Sequence, residues 1–253
     1  MRDASPVVAI ADVHGRADLL GTMLDAVERD WPDARVVLLG DLIDRGPDVP
    51  AVLRLAREVP GRFPGSKVLL GNHENWLLTT LDGDLDAWDQ WRTWGGAATL
   101  AAYGIDIALT PRDMRAAFED RDPEAIVFLR DRPRSWVGDG AGEGHFFVHA
   151  GVDPRRALDD QDPHDLIWIR EPFLSHDEPL ERTIVHGHTI VDAPVIGAHR
   201  IGLDTGAYRS NRLTALVLES GGERRFIQAW GEWGGTAVVT SVQAAAARSA
   251  FWG

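Results

Sequence analysis

Three apolar runs in the first seventy residues end in the same way, and that repetition constrains the fold more than any other feature of the chain. Val7 to Ala11, Val36 to Leu39 and Val68 to Leu70 are short and apolar with β-branched members, as fully covered strands of a parallel sheet are. A helical pattern follows each, over about 18–29, over 49–59 and from Glu74 onward. Three strand-then-helix units in succession predict a parallel sheet with right-handed crossovers. Each run also passes directly into a polar turn: Asp12-Val13-His14-Gly15, Gly40-Asp41, and Gly71-Asn72-His73-Glu74. Turns at one edge of one sheet converge, and the carboxyl edge of an open α/β sheet is where ligands bind.

Beyond this the pattern changes. Between Asp84 and Arg132 two helices are expected, one carrying Trp88, Trp91 and Trp94 at i, i+3 and i+6 and another between Arg112 and Arg130. Together they form a helical insertion, with the tryptophans expected to pack helix against sheet. Strand patterns resume at His145–His149, Thr183–Val185 and Leu213–Leu218, after loops rich in Gly, Pro and Asp, and predict a second sheet region. No repeat and no linker-like stretch interrupts the sequence, so residues 1–253 are read as one domain with a helical insertion at about 84–132. The tail from Gly231, ending AAAARSAFWG, reads either as a short helix or as disorder.

With 253 residues and 44% hydrophobic residues the chain can bury a full core. Its net charge of -13 argues against a protein whose main task is gripping a phosphate backbone, so no nucleic-acid backbone binding is expected. Lys67 is the only lysine, so the available cations are forked, permanently charged guanidinium groups. There are no cysteines, which removes disulfides, thiolate nucleophiles and sulfur-ligated metals together. No stretch approaches the ~18 apolar residues of a membrane span, and the N-terminal apolar run is too short for a signal peptide. A soluble, cytoplasmic protein with no membrane partner is the expectation.

The polar strand ends give, in order, Asp12, His14, Asp41, Asn72 and His73, then His149 in VHAGV and His186-Gly187-His188 in VHGHT. Carboxylate, imidazole and amide oxygen form the donor set for borderline divalent metals such as Mn, Fe, Zn or Ni. A carboxylate can bridge two ions about 3.5–4 Å apart, and such a pair clamps the attacking and leaving oxygens of an in-line phosphoryl displacement. Hydrolysis of a phosphate ester is the chemistry this set suggests. Taken singly the signals are weak: Gly-Asp after a strand is more often a turn or helix cap, and Asn72 could be such a cap. Independent caps have no reason to supply the full donor set at successive strand ends.

The series DVHG, GDLIDRG, GNHE, HAG and GHT resembles the calcineurin-like metallophosphoesterases, specifically the phosphoprotein-phosphatase branch with its bacterial and phage serine/threonine phosphatases. The resemblance covers roughly Ile10 to Ala207, since IGLDTGA is similar to a late strand of that branch. It departs at Ala11, where the family usually has glycine, and it does not extend over Asp84 to Gly144. The resemblance implies a four-layer αββα sandwich of the α/β class. It implies that Asp12 and His14 bind one metal, that Asp41 bridges, and that Asn72, His149 and His188 complete the second site, with His188 favoured over His186. The ions would be two divalent metals, manganese foremost, activating a bridging hydroxide as nucleophile. His73 would be the general acid, oriented by Asp44, while Arg45, Arg170 and Asn72 would contact the substrate phosphate. The implied activity is that of a protein phosphatase on phosphoserine, phosphothreonine or phosphotyrosine. Hydrolysis of diadenosine polyphosphates or other nucleotide anhydrides is the alternative, and a non-catalytic module that binds phosphorylated ligands is the alternative of another class. The partner is therefore a phosphoprotein or a small phosphorylated molecule.

Overall fold

A computed structural model describes residues 5–246 of the chain. Strands β1 (Val7–Ile10), β2 (Arg35–Leu38) and β3 (Lys67–Val68) alternate with helices α1 (Ala17–Asp30), α2 (Val49–Arg62) and α3 (Asn72–Leu81), giving the three expected units. Helices α4 (Leu85–Trp91), α5 (Ala97–Ala102), α6 (Pro111–Arg121) and α7 (Pro123–Arg130) follow, with a π turn over Arg92–Gly96 between α4 and α5. The chain then runs through β4 (Ser135–Val137), β5 (His145–Val148), α8 (Asp165–Trp168), β6 (Thr183–His186), β7 (Val195–Ile196) and β8 (Arg200–Gly202). It ends with α9 (Ala207–Ser210), β9 (Arg212–Leu218), β10 (Arg224–Trp230), β11 (Val238–Val242) and β12 (Ala245–Ala246).

Two six-stranded sheets result, ordered β11-β10-β9-β1-β2-β3 and β12-β7-β8-β6-β5-β4. In the first, β1 lies parallel to β2, Val7 opposite Arg35 through Ile10 opposite Leu38, and antiparallel to β9, so Leu213–Leu218 joins the first sheet and not the second expected from sequence order. In the second, β5, β6 and β8 are parallel neighbours. Side chains of a strand alternate between faces, and in β1 both faces are covered. Val7, Ala9 and Ala11 turn toward the second sheet and pack with Phe147, Val185, Ile201 and Leu203. Val8 and Ile10 turn the other way, into a cluster with Leu20, Met23 and Leu24 of α1 and Val52 and Leu53 of α2. The two sheets are thus stacked back to back with helices outside, an αββα sandwich. Its layer outside the second sheet is thin, because Phe146, Val148 and Ile184 are covered mainly by α8 and the loop carrying Ile169 and Phe173.

The insertion has four helices and a π turn where two helices were expected. Gly95 adopts φ 128°, a conformation open to glycine, and ends the tryptophan helix. Pro123 divides the second helix: it forces Asp122 out of helical geometry, to φ -148° and ψ 78°. The tail also differs from expectation up to Ala246. Val238-Val239-Thr240-Ser241-Val242 pairs with β10 to finish the first sheet, and Ala245–Ala246 pairs with β7. The rest of the alanine-rich tail lies outside the described residues. Among the described residues no helix is long and apolar enough to cross a membrane.

Candidate active site

Asp12 follows β1, Asp41 follows β2 and Asn72 follows β3, while His149 follows β5 and His188 lies two residues beyond β6. Stacking the sheets brings these ends together. The ring N–H of His149 donates to the carbonyl of Leu39 at 3.0 Å, and the backbone N–H of His188 donates to both carboxylate oxygens of Asp12 at 3.1 Å. Asp12, His14, Asp41, Asn72, His73, His149 and His188 are all buried.

Asp41 is the centre of the cluster. One of its oxygens lies 3.5 Å from Nε2 of His14 and the other 3.5 Å from Nε2 of His149. The ligand atoms of His14, Asp41 and His73 fall within 4.8 Å of one another, and so do those of Asp41, His149 and His188. His14 donates its Nδ1 proton to the carbonyl of Ile43 at 2.7 Å, which leaves a lone pair on Nε2 directed inward. His149 is arranged alike, and its Nε2 lone pair faces the amide oxygen of Asn72 at 2.9 Å. His186 belongs elsewhere: its Nδ1 reaches the carbonyl of Gly187 and its ring packs on Phe173.

The turns that assemble the cluster are strained. His14, Asp41, Asp44, Arg45 and His188 all have positive φ, between 45° and 71°. Left-handed backbone at non-glycine residues costs about 1–3 kcal/mol each and is held only where the surroundings over-determine it.

His73 stands beside the cluster in a different network. Its Nδ1–H donates to Asp44 at 2.6 Å, and its Nε2 accepts from Nη2 of Arg45 at 2.9 Å. Nη1 of Arg45 donates to His14 Nε2 at 2.9 Å, so one guanidinium spans both imidazoles. Burial pushes Asp44 up to about 7 and, helped by Arg45, holds His73 well below the ordinary histidine range. A cleft of about 260 Å³ opens at these groups, lined by Asp41, Arg45, Asn72 and His73. Trp76, Trp94, Trp168, Gln90, Arg170 and His188 complete its lining. Of the three tryptophans in the insertion, Trp91 is fully buried, Trp88 packs on the core and Trp94 is 55% exposed in the cleft.

Three residues of the site were not singled out from sequence. Glu74 is fully buried and its carboxylate accepts the backbone N–H groups of Asp41, Leu42, Ile43 and Gly71. Its signal was the last position of GNHE together with the capping-box spacing from Gly71. Asp204 is buried near Asp12 and accepts the backbone N–H of Gly206 at 2.8 Å; burial pushes it up to about 6. It is the aspartate of IGLDTGA. Tyr208 places its ring 4.8 Å from the Arg45 guanidinium and edge-on to His14, and no signal in the sequence marked it.

The donor set fits divalent cations. Burial, reinforced by Asp204 and Asp41, pushes Asp12 far above the ordinary carboxylate range, and burial with Glu74 does the same to Asp41. These are negative charges without sufficient compensation. Burial holds His149 down at about 3 and His188 lower still, so both rings are neutral, and Nε2 of His188 has no hydrogen-bond partner. Two facing acceptors, His149 Nε2 and Asn72 Oδ1, have the same need for a positive charge.

Fold and site together define a hydrolase of the αββα sandwich class. Residues 5–215 match the model of the calcineurin-like phosphoesterases, and the chain belongs to that metal-dependent family. It is 33% identical over 147 residues to a symmetrical bis(5'-nucleosyl)-tetraphosphatase of Janthinobacterium sp. (strain Marseille), covering 58% of this chain and 44% of that protein. It is 27% identical over 222 residues to serine/threonine-protein phosphatase 2 of Salmonella typhimurium, covering 83% of this chain and 91% of that one. The chain thus spans less than half the length of the tetraphosphatase relative. Among solved structures, a cold-active protein-tyrosine phosphatase of a psychrophile Shewanella sp. superposes with a TM-score of 0.58 at 19% identity, over 95% of this chain and 81% of that one. A metallophosphoesterase from Sphaerobacter thermophilus superposes with a TM-score of 0.52 at 18% identity, over 96% and 89%.

Proposed function

We propose that the chain is a dinuclear metal-dependent phosphatase that hydrolyses phosphate monoesters on phosphorylated proteins. The observation that carries the reading is the position of Asp41, whose two carboxylate oxygens each lie 3.5 Å from a different histidine, His14 and His149. Asp12 and His14 would hold one divalent ion, Asn72, His149 and His188 the other, and Asp41 both. Manganese is the metal proposed, with iron, zinc or nickel suited to the same donors. When bound, the ions supply a water acidic enough to attack at neutral pH and positive charge against the phosphoryl oxygens.

The chain's own groups do the rest. Arg45 and Arg170, both lining the cleft, take non-bridging oxygens of the phosphate, and Asn72 lines the same cleft. In taking them, Arg45 exchanges its two imidazole acceptors for phosphoryl oxygens and frees Nε2 of His73. With Arg45 turned to the phosphate, the substrate's negative charge makes the ring more basic; Nε2 takes a proton from solvent and passes it to the leaving oxygen, while the Nδ1–H bond to Asp44 fixes the ring and stabilises its cationic form.

A second reading, hydrolysis of dinucleoside polyphosphates, is favoured by the tryptophans of the cleft. Trp76 and Trp168 meet at 4.5 Å beside the phosphate-facing arginines, and flat apolar surfaces of this kind take a nucleobase as readily as a peptide. The test is product release by metal-stripped protein restored with Mn²⁺, on a phosphopeptide set and on diadenosine tetraphosphate at equal concentration. A kcat/KM at least about tenfold higher on phosphopeptides supports the first reading. The opposite preference replaces it with the second, and no turnover of either by protein with full metal content overturns both.

A further inference from the structure

The helical insertion reaches the acid pair itself. Asp44 is fully buried, and its carboxylate has three donors: His73 Nδ1 at 2.6 Å, the indole N–H of Trp91 at 2.8 Å and the hydroxyl of Thr99. The Thr99 hydroxyl also accepts the backbone N–H of Asp44 at 3.0 Å, so it clips both ends of that residue. The π turn between Trp91 and Thr99 supplies two carbonyls to the neighbouring residue. Gly95 accepts the backbone N–H of Arg45 at 3.3 Å, and Trp94 accepts its Nε–H at 3.4 Å.

We propose that Trp91 and Thr99 are positioning residues for the His73–Asp44 pair, and that the π turn exists to bring them to one carboxylate. This rests on the reading of His73 as the acid.

The geometry requires such a turn. Trp91 and Thr99 are eight residues apart, which in an unbroken α-helix is a rise of about 12 Å, too far for both to reach one carboxylate. Gly95 breaks the helix, and a Cβ there would lie 2.7 Å from Cγ of Arg45. Gly96 makes room for the indole: a Cβ there would lie 2.5 Å from the Trp91 ring. Plain packing of helix on sheet would need the ring of Trp91 but not its N–H, and would leave Thr99 indifferent to replacement by valine. Here each spends a hydrogen bond on a buried carboxylate, and an indole can only donate. Removing either leaves the carboxylate short of a donor and free to turn away from His73.

The test uses the manganese-reconstituted protein and a series of aryl phosphates of graded leaving-group pKa, with Trp91→Phe, Thr99→Val, Thr99→Ser and His73→Asn. A proton delivered to the leaving oxygen matters for a poor leaving group and hardly at all for a good one. Thr99→Val and Trp91→Phe are expected to lose roughly ten- to a hundredfold in kcat on phenyl phosphate and less than about threefold on dinitrophenyl phosphate. Thr99→Ser, which restores the hydroxyl, is expected to recover most of the loss. Trp91 is in the core, so its ring-retaining variant could fold poorly; Thr99→Val carries the test alone in that case. An equal loss across the series for Thr99→Val, with a graded one for His73→Asn, overturns this inference and leaves the acid assignment standing. An equal loss for His73→Asn overturns both.

Discussion

Glu74 accepts the backbone N–H of Asp41 at 2.9 Å, so the residue at the centre of the site is held from behind by the helix that begins after the next strand. The same carboxylate takes Leu42 at 2.7 Å, Ile43 at 3.1 Å and Gly71 at 2.9 Å, two N–H groups on each oxygen. The left-handed turn at Asp41 costs about 1–3 kcal/mol, and hydrogen bonds to a charged acceptor contribute about 1.5–3 kcal/mol each, so the Glu74 bonds are enough to hold it.

Glu74→Gln is therefore not a conservative change. Whichever oxygen becomes an amide NH₂ turns a donor toward two backbone donors. The variant is expected to lose about 2–4 kcal/mol of stability to urea in the metal-free state and to retain less manganese after gel filtration. Wild-type stability together with full metal content would show that the turn holds itself.

Gly151→Ala tests how Arg170 reaches the cleft. The ring of Phe173, fully buried three residues after Arg170, lies against Gly151 of the HAG motif, where an added Cβ would stand 2.3 Å from it. Displacing Phe173 is expected to draw the Arg170 loop out of position, and manganese content at the wild-type level checks that His149, two residues before Gly151, stays in place. A KM for phosphomonoesters raised about tenfold, with kcat changed less, is expected if Arg170 supplies mainly binding energy common to ground and transition states. An unchanged KM, with Arg170→Ala also unchanged, would remove Arg170 from the site.

The residues legible in sequence were those at strand ends. Asp12, Asp41, Asn72 and His149 each close an apolar run, so the pattern that marked the strand also marked the residue. Glu74, Trp91 and Thr99 lie within helices, and their partners are 33, 47 and 55 residues away, where no local periodicity reports a contact. The fold divides the same way. β1 and β2 are buried on both faces and read as continuous apolar runs, whereas β7 and β12 are two residues long, below any period. β10 begins Arg224-Arg225, so its apolar half is obscured by charge.

A pH dependence of stability is expected from the outer face of the second sheet. His199 is 4% exposed beside His176, and burial, then His176 and Arg200, hold it below the ordinary histidine range, with Asp177 opposing. A histidine with a lowered folded pKa stays neutral when folded and takes up its proton on unfolding. Its contribution is therefore present above the unfolded value of about 6.5 and is lost as pH falls through it, by at most about 1.4 kcal/mol per pH unit. His199→Phe should make the urea midpoint less sensitive to acidification between about pH 7.5 and 5.5 than in the wild type. Equal sensitivity in both would place the acid lability elsewhere.

The number of ions can be read from stability alone, without an activity assay. Asp12, Asp41 and Asp204 are buried carboxylates whose charge is resisted by their surroundings, so a cation that binds the folded chain adds stability that chelation removes. Above the dissociation constant, each bound ion adds about 1.4 kcal/mol for every tenfold rise in free metal. Chelated protein titrated with Mn²⁺ is expected to gain twice that per decade, because Asp41 lies between two donor groups rather than within one. Asp41→Asn replaces the shared anion by an amide with a single acceptor oxygen. Its gain should fall toward the one-ion value and begin at higher manganese. A wild-type gain of one ion per decade would mean that the cluster holds a single metal, and that Asp41 faces both histidine groups for a structural reason.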